Sequence, residues 1–494
     1  MIEAARKLSQ LGLQARDGRD PQVTGLSIDS RAVKPGHLFA ALPGSAVHGA
    51  EFIPYALRMD AAAILTDRAG AGMAADVLAA WDGALIVAED PRAAFAGAAA
   101  LWFDRQPDHV VAVTGTAGKT SVVSFTRQIW QALGLSAISL GTMGVEGDFH
   151  AKLAHTTPEP LTLQRVLAEA ADAGVTHAAM EASSHGLDQR RLDGVRLTAG
   201  AFTNFSQDHL DYHADFDAYF AAKALLFDRL LDEGQGAVIN IDGARGRQMA
   251  GIARDRGLAL ITVGAADDAD LRILGQRFDA TGQDLRFALH GRPQMVRLPL
   301  IGGFQAENVL AAMGLAMAAG CAADDIVRVL PGLQTVRGRM QFVAQRENGA
   351  TVFVDYAHKP GAVIAALQSL RPHVLGRIVV VLGAGGDRDR SKRPLMGQAA
   401  SEFADVVIVT DDNPRTEDPA AIRAAVMAGA GPDATEVADR AEAILRGVDA
   451  LLPGDALLIA GKGHETGQIV GQDVYPFDDA EQASVAVAAL DGRI

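Results

Sequence analysis

The chain has 494 residues, 49% of them hydrophobic, with a formal net charge of -15 and one cysteine. That length predicts about three domains in place of one core, and the acidic balance argues against a general binder of nucleic acid or anionic membrane. No run of ~20 apolar residues is present to span a bilayer, Glu3, Arg6 and Lys7 do not suit a secretory signal, and Cys321 alone makes neither an intrachain disulfide nor a thiolate cluster, so a cytoplasmic protein without membrane insertion is expected.

Short apolar runs at Val23 to Ile28, Ala61 to Leu65 and Leu85 to Val87, separated by Gly- and Pro-rich turns, predict a small α/β N-terminal domain over residues 1–90. A connecting helix is predicted over 92–105, broken by Gln106-Pro107-Asp108. From there to 337, strands at Val110 to Val113, Ala137 to Leu140, Val175 to Met180, Leu197 to Phe202, Ala237 to Ile241 and Leu258 to Val263 alternate with helices. That order predicts a central, P-loop-type, mostly parallel sheet. Strands at Val352 to Val354, Arg377 to Leu382, Val406 to Val409 and Ala456 to Ile459 predict a C-terminal Rossmann-like doubly wound sheet over 338–494. The fold class is therefore α/β in three domains.

Thr114-Gly115-Thr116-Ala117-Gly118-Lys119-Thr120-Ser121 lies between the run Val110 to Val113 and the predicted helix Val122 to Leu133. Strand, glycine pair and helix N-terminus together suit nucleotide phosphates, with Lys119 reaching the terminal phosphates and the Thr120 hydroxyl offered to Mg2+. The glycine spacing is shorter than in the common loop, and an ordinary helix start with a Thr N-cap is the alternative. Glu181 closes another strand, where a carboxylate suits a hard cation. Asp208-His209-Leu210-Asp211-Tyr212-His213 crowds two Asp and two His behind a third strand; a capped, solvated loop is the other reading of that segment. Lys223 falls in the apolar-periodic stretch Phe216 to Leu231, where a lysine is by default solvated.

The phosphate loop, Glu181 with Ser183-Ser184-His185-Gly186, the Asp208 to His213 segment, Gly338-Arg339 and Asp355-Tyr356-Ala357-His358 together resemble the Mur ligase family in order and approximate spacing. These are ATP-dependent, amide-bond-forming enzymes of bacterial peptidoglycan synthesis. The resemblance implies that Lys119 and Thr120 hold phosphates and Mg2+, with Thr114, Gly115, Thr116, Ala117 and Gly118 completing the ATP loop. It further implies metal binding by Glu181 and His209, an adenine contact by Asn308, ribose and phosphate contacts by Asp355 and Arg339, and a carbamylated Lys223 bearing a second Mg2+. Carbamylation turns an ammonium into an oxygen ligand, which gives that implication its chemical sense. Two positions depart from many relatives: Ala117 stands for Asn, and Gln341 for Glu.

Asp411-Asp412-Asn413-Pro414-Arg415 resembles the family signature of the member that adds meso-diaminopimelate. That amino acid is a lysine carrying one more carboxylate at its far end, which an Arg415 guanidinium could grip bidentately. The resemblance adds Arg388 as a carboxylate contact, with Gly461 and Glu465 holding the distal amino and carboxyl end. The glycine cluster Gly383-Ala384-Gly385-Gly386 could instead suggest a dinucleotide site, but the full GxGxxG pattern is missing.

For the acceptor, UDP-N-acetylmuramoyl-L-alanyl-D-glutamate, the resemblance implies uridine diphosphate contacts by Ile28, Ser30, Ser45, Ala46 and Val47. It gives the muramoyl-peptide tail to Thr156, Thr157, Ser183, Gln189 and Arg191. By local sequence alone, Thr156-Thr157 ahead of Pro158 reads as the start of the helix Leu161 to Ala171. The expected activity is acyl-phosphate formation on the D-glutamate γ-carboxylate followed by attack of the diaminopimelate amine. A lysine- or D-alanyl-dipeptide-adding ligase, a P-loop switch and a non-catalytic nucleotide-sugar binder are the rival readings.

Overall fold

The structure, a computed structural model, describes residues 5–44, 47–206, 208 and 212–494. It divides into two compact units, Met1–Ala269 with Ala311–Ile326, and Asp270–Leu310 with Val327–Ile494. No helix among the described residues is long and apolar enough to cross a membrane.

In the first unit, a parallel four-stranded sheet runs in the order Gly25–Ser27, His37–Ala40, Ala63–Thr66, Ala84–Val87. The helix Pro91–Phe103 follows. Asp90 accepts a hydrogen bond from the Ala93 amide as its N-cap, and Pro91 sits at the first helical position, where no amide is needed.

The larger sheet of this unit places His109–Thr114 between His177–Glu181 and Leu197–Phe202, all parallel. Ala137–Gly141 lies beyond the second, and Gly236–Asn240 with Ala259–Gly264 beyond the third. Val110, Val111, Ala112 and Val113 are each 0% exposed. Helices cover both faces, which is why these strands read as continuous apolar runs without alternation. Register sets Glu181 opposite Val113 and Phe202 opposite Thr114, so three strand ends open onto one edge.

The second unit departs from the expected alternation. Leu271–Asp279, Gly282–Leu289 and Arg292–Leu298 form an antiparallel meander. His290 and Gly291 supply the two positive φ angles that a two-residue hairpin turn needs. Its other sheet follows the order Gln341–Gln345, Thr351–Asp355, Ala456–Ala460, Ile378–Leu382, Val406–Val409, Thr435–Glu436, parallel except for the first pair. Leu382 pairs with Ala460 on one side and Val409 on the other, so three loops leave the same edge together.

Candidate active site

The phosphate loop is braced from the neighbouring strand end. Gly115 has φ +144°, and a Cβ there would lie 1.9 Å from Thr203 Oγ1, so only glycine fits. Thr203 Oγ1 donates to Ala117 O at 2.6 Å. Asn204 grips both sides of Ala117, accepting its amide at 2.9 Å and donating to its carbonyl at 3.1 Å. The Thr116 amide donates to Asn204 O at 3.0 Å. Two loop amides are thus spent on the scaffold, and Gly118, with φ +85°, opens the helix Lys119–Ala132 at its positive end. Lys119 folds over the loop, donating to Gly115 O and Thr116 O at 2.9 Å each.

Glu181 is 2% exposed at its strand end. Its Oε1 accepts from Thr120 Oγ1 at 3.0 Å and from the Thr142 amide at 2.9 Å. A Cβ on Gly141 would stand 2.1 Å from that same oxygen. The phosphate-loop hydroxyl and the strand-end carboxylate therefore share one small volume of oxygen donors.

Lys223 is not solvated. It sits in the helix Phe216–Leu225 at 1% exposure, donates to Gly115 O at 2.8 Å, and lies 4.4 Å from the Tyr219 ring centre. Burial, with Lys119 nearby, lowers its pKa to about 6. A neutral amine at ordinary pH is the form that can add CO2. His209, Ser45 and Ala46 lie outside the described residues.

Thr156, Thr157, Ser183, Gln189 and Arg191 come together beside Glu181. Thr157 Oγ1 donates to the Glu181 carbonyl at 2.8 Å and accepts from the Ser183 amide at 3.0 Å. Arg191 donates to Thr157 O at 2.6 Å and to Gln189 Oε1, and Gln189 donates to Tyr212 OH at 3.1 Å. Thr156 Oγ1 is 3.2 Å from Thr142 Oγ1. The helix start read at Thr156-Thr157 is corrected: the helix is Pro160–Asp172, capped by Glu159, because the Glu159 carboxylate takes the Leu161 and Thr162 amides. Ile28 packs on the N-terminal core, Ser30 opens a single turn capped by Asp29, and Val47 is 49% exposed.

In the second unit, Asn308 donates to Gln305 Oε1 at 3.1 Å. Asp355 accepts the Met340 amide at 2.7 Å, and desolvation at the strand end pushes its carboxyl pKa up. Arg339 stacks on Tyr356, 5.0 Å from the ring centre, with His464 also against that ring at 4.9 Å. Gln341 accepts the Gly338 amide at 2.8 Å.

The glycine cluster after Ile378–Leu382 exists for close backbone approach. A Cβ on Gly386 would lie 1.9 Å from Pro414 O, and one on Gly385 2.9 Å from Arg415 Nη1. Arg415 donates from Nη1 to Gly386 O at 2.8 Å, the single protein partner of its guanidinium among the described residues. Its backbone is left-handed, φ +53°, and is clasped by the hairpin Gly467–Val470 with Asp473–Pro476. The Arg415 amide donates to Ile469 O at 3.0 Å, and its carbonyl accepts from the Gly471 amide at 2.7 Å.

Asp412 and Asn413 are buried, and Gly461 is glycine because a Cβ would meet Asp412 Oδ2 at 2.6 Å. Asn413 Nδ2 donates to Glu465 Oε2 at 2.8 Å. Arg388 is exposed and donates to the carbonyl of Asp387 at 3.3 Å. Motif reading missed Thr142, Thr203, Asn204 and Lys462. The first three directly follow strand ends, which is the signal that could have found them.

Comparison with known proteins agrees along the chain. Residues 22–116 match the Mur ligase family catalytic domain, 113–316 the Mur ligase middle domain, and 338–463 the Mur ligase glutamate ligase domain. A UDP-N-acetylmuramoyl-L-alanyl-D-glutamate--2,6-diaminopimelate ligase of Bradyrhizobium diazoefficiens is 49% identical over 472 residues, covering 95% of each chain. The ligase of that name from Rhizobium meliloti is 47% identical over 492 residues, 99% of each. A solved structure of a ligase of that name superposes with a TM-score of 0.75 at 33% identity, covering 99% of both chains. With this likeness spanning its whole length, the chain belongs to the Mur ligase family of ATP-dependent, amide-bond-forming enzymes.

Proposed function

We propose that the chain is the cytoplasmic ligase that joins meso-diaminopimelate to UDP-N-acetylmuramoyl-L-alanyl-D-glutamate with ATP. The observation that carries this reading is the Asp412-Asn413-Pro414-Arg415 loop, whose guanidinium keeps Nε and Nη2 for a ligand carboxylate while Nη1 anchors it to Gly386. Relatives bearing the matching name, at 47–49% identity over nearly the full length, support it.

The reaction balances in two steps. An oxygen of the D-glutamate γ-carboxylate attacks the terminal phosphorus of ATP, and ADP leaves. The neutral amine of diaminopimelate then attacks the acyl carbon, the C–O bond to phosphate breaks, and the amine proton is released. The protein's contribution is chiefly positioning and charge compensation.

Lys119 meets the terminal phosphates in this reading, leaving the loop carbonyls it now caps. Thr120 and Glu181, already sharing a hydrogen bond, would hold Mg2+, and their all-oxygen donor set suits that ion. No group of three or more His, Cys, Asp or Glu among the described residues makes a full ligand set, so phosphate and water oxygens would complete the shell. When bound, Mg2+ neutralises phosphate charge. Lys223, held neutral by burial beside Gly115, would carry the carbamate and present its carboxylate to the second ion. Thr156, Ser183, Gln189 and Arg191 would bind the peptide tail near Glu181, and Ile28, Ser30 and Val47 the uridine diphosphate.

The test is direct. The enzyme is incubated with Mg2+, ATP and the UDP-muramoyl dipeptide, adding meso-diaminopimelate or lysine in turn, and phosphate release and product mass are measured. Diaminopimelate-dependent release with the tripeptide mass is expected. Equal use of lysine, or release independent of any amino acid, overturns the reading.

A further inference from the structure

Lys462 lies in the glycine-flanked loop after Ala456–Ala460, where a lysine is ordinarily solvated, yet it is 0% exposed. Its Nζ donates to Asn413 Oδ1 at 2.9 Å and reaches Glu465 Oε2 at 3.4 Å. The Glu465 amide donates back to Lys462 O at 3.0 Å, so the two residues close one turn.

Asn413 is fixed by this arrangement. Its Oδ1 accepts from Lys462 and also from the Ile469 amide at 2.9 Å, while Nδ2 donates to Glu465 Oε2. Turning the amide over would set its NH2 against an ammonium and a backbone N–H, two donors facing donors. Both contacts to Glu465 fall on Oε2, which leaves Oε1 without a protein partner among the described residues. Full burial bars Lys462 itself from contact with a bound amino acid. Its ammonium reaches the Glu465 carboxylate, and a buried cation without such partners would be strongly unfavourable.

We propose that Lys462 is a positioning residue for amino-acid selection. It holds the Asn413 amide and the Glu465 carboxylate in the geometry that receives the distal ammonium and carboxylate of diaminopimelate, without touching that ligand. This rests on assigning Asn413, Arg415 and Glu465 to the amino-acid pocket.

The experiment uses the full-length enzyme, four single variants, Lys462→Met, Lys462→Gln, Glu465→Gln and Arg415→Ala, and the double variant of Lys462→Met with Glu465→Gln, with KM measured separately for all three substrates. Lys462→Met should raise KM for meso-diaminopimelate at least about 10-fold, in line with loss of charged hydrogen bonds. KM for ATP and for the UDP-muramoyl dipeptide should stay within about 2-fold, with kcat little changed. Lys462→Gln restores one donor to Asn413 and should recover part of the loss; it carries the same test should the Met variant not fold. Lys462→Met combined with Glu465→Gln should do little more harm than the worse single change, because both act on one contact.

Unchanged KM for diaminopimelate in the Lys462 variants, while Arg415→Ala raises it, overturns the inference and leaves the pocket intact. Unchanged KM in Arg415→Ala overturns the pocket assignment itself. A parallel fall in kcat and rise in all three KM values, with a lower Tm, reduces Lys462 to a structural role and also overturns the inference.

Discussion

Lys223 Nζ donates to the carbonyl oxygen of Gly115 across 2.8 Å, tying a helix to the phosphate loop 108 residues earlier in the chain. Its pKa, lowered from 10.5 to about 6 chiefly by burial, makes folding release a proton between those values. The unfolded chain then binds more protons than the folded one, so this residue's burden on stability is absent above about pH 10.5 and grows as pH falls to about 6. In CO2-depleted buffer, Lys223→Met should therefore be more stable than the parent, by a margin that widens about 1.4 kcal/mol per pH unit on going down. Denaturant unfolding at three pH values measures it; a margin independent of pH contradicts a neutral buried amine. Assayed with bicarbonate, Lys223→Met and Lys223→Ala should each lose at least about 100-fold in turnover.

Glu181 and Gly141 offer a paired test. Glu181→Gln keeps the shape but removes the charge, and turnover should fall about 100-fold or more with a raised Mg2+ requirement and an unaltered melting profile. Gly141→Ala leaves every polar group in place, yet its methyl would press on Glu181 Oε1. It should reproduce most of that loss. Wild-type activity in Gly141→Ala would show that the carboxylate need not occupy its present position.

Arg415→Lys preserves charge but loses the planar fork. It should weaken diaminopimelate about 10-fold or more and narrow the preference over lysine. Competition between the two amino acids, read by product mass, tests this. An undiminished preference would mean that another group reads the far carboxylate.

Arg440 and Asp479 form an ion pair with both side chains 0% exposed, and Arg440 also donates to Asp411 O and Ala460 O, at the roots of the two loops proposed to hold the amino acid. Arg440→Met should cost about 3–5 kcal/mol, because it strands a buried carboxylate. Arg440→Met with Asp479→Leu should cost less than Arg440→Met alone. Urea unfolding of the cycle decides it, and simple additivity would mean the pair does not act as a unit.

Much of the architecture was readable because parallel strands buried on both faces leave unbroken apolar runs. Leu197–Phe202 and Val406–Val409 fall where such runs predict them, and most other sheet strands differ by a residue or two at their ends. The meander Leu271–Leu298 was passed over because one-sided burial spreads its signal through charged residues such as Arg272, Arg277 and Arg286. His37–Ala40, directly behind the turn residues Pro35-Gly36, was also passed over. Motifs marked the phosphate loop, Glu181 and the Asp411 to Arg415 segment. They could not disclose that Asn204 braces the loop, or that Lys223 and Lys462 are buried, since a helical or loop lysine carries no local mark of its tertiary surroundings.

The left-handed backbone of Arg415 is stitched at its amide and its carbonyl to a ribbon that the chain reaches only some fifty residues later. On the proposed role of Arg415, amino-acid choice is written in two distant stretches at once. Transplanting the Asp411 to Arg415 segment alone into a relative with another preference should yield an idle arginine; carrying the ribbon from Gly467 to Pro476 along with it should transfer the preference as one cassette.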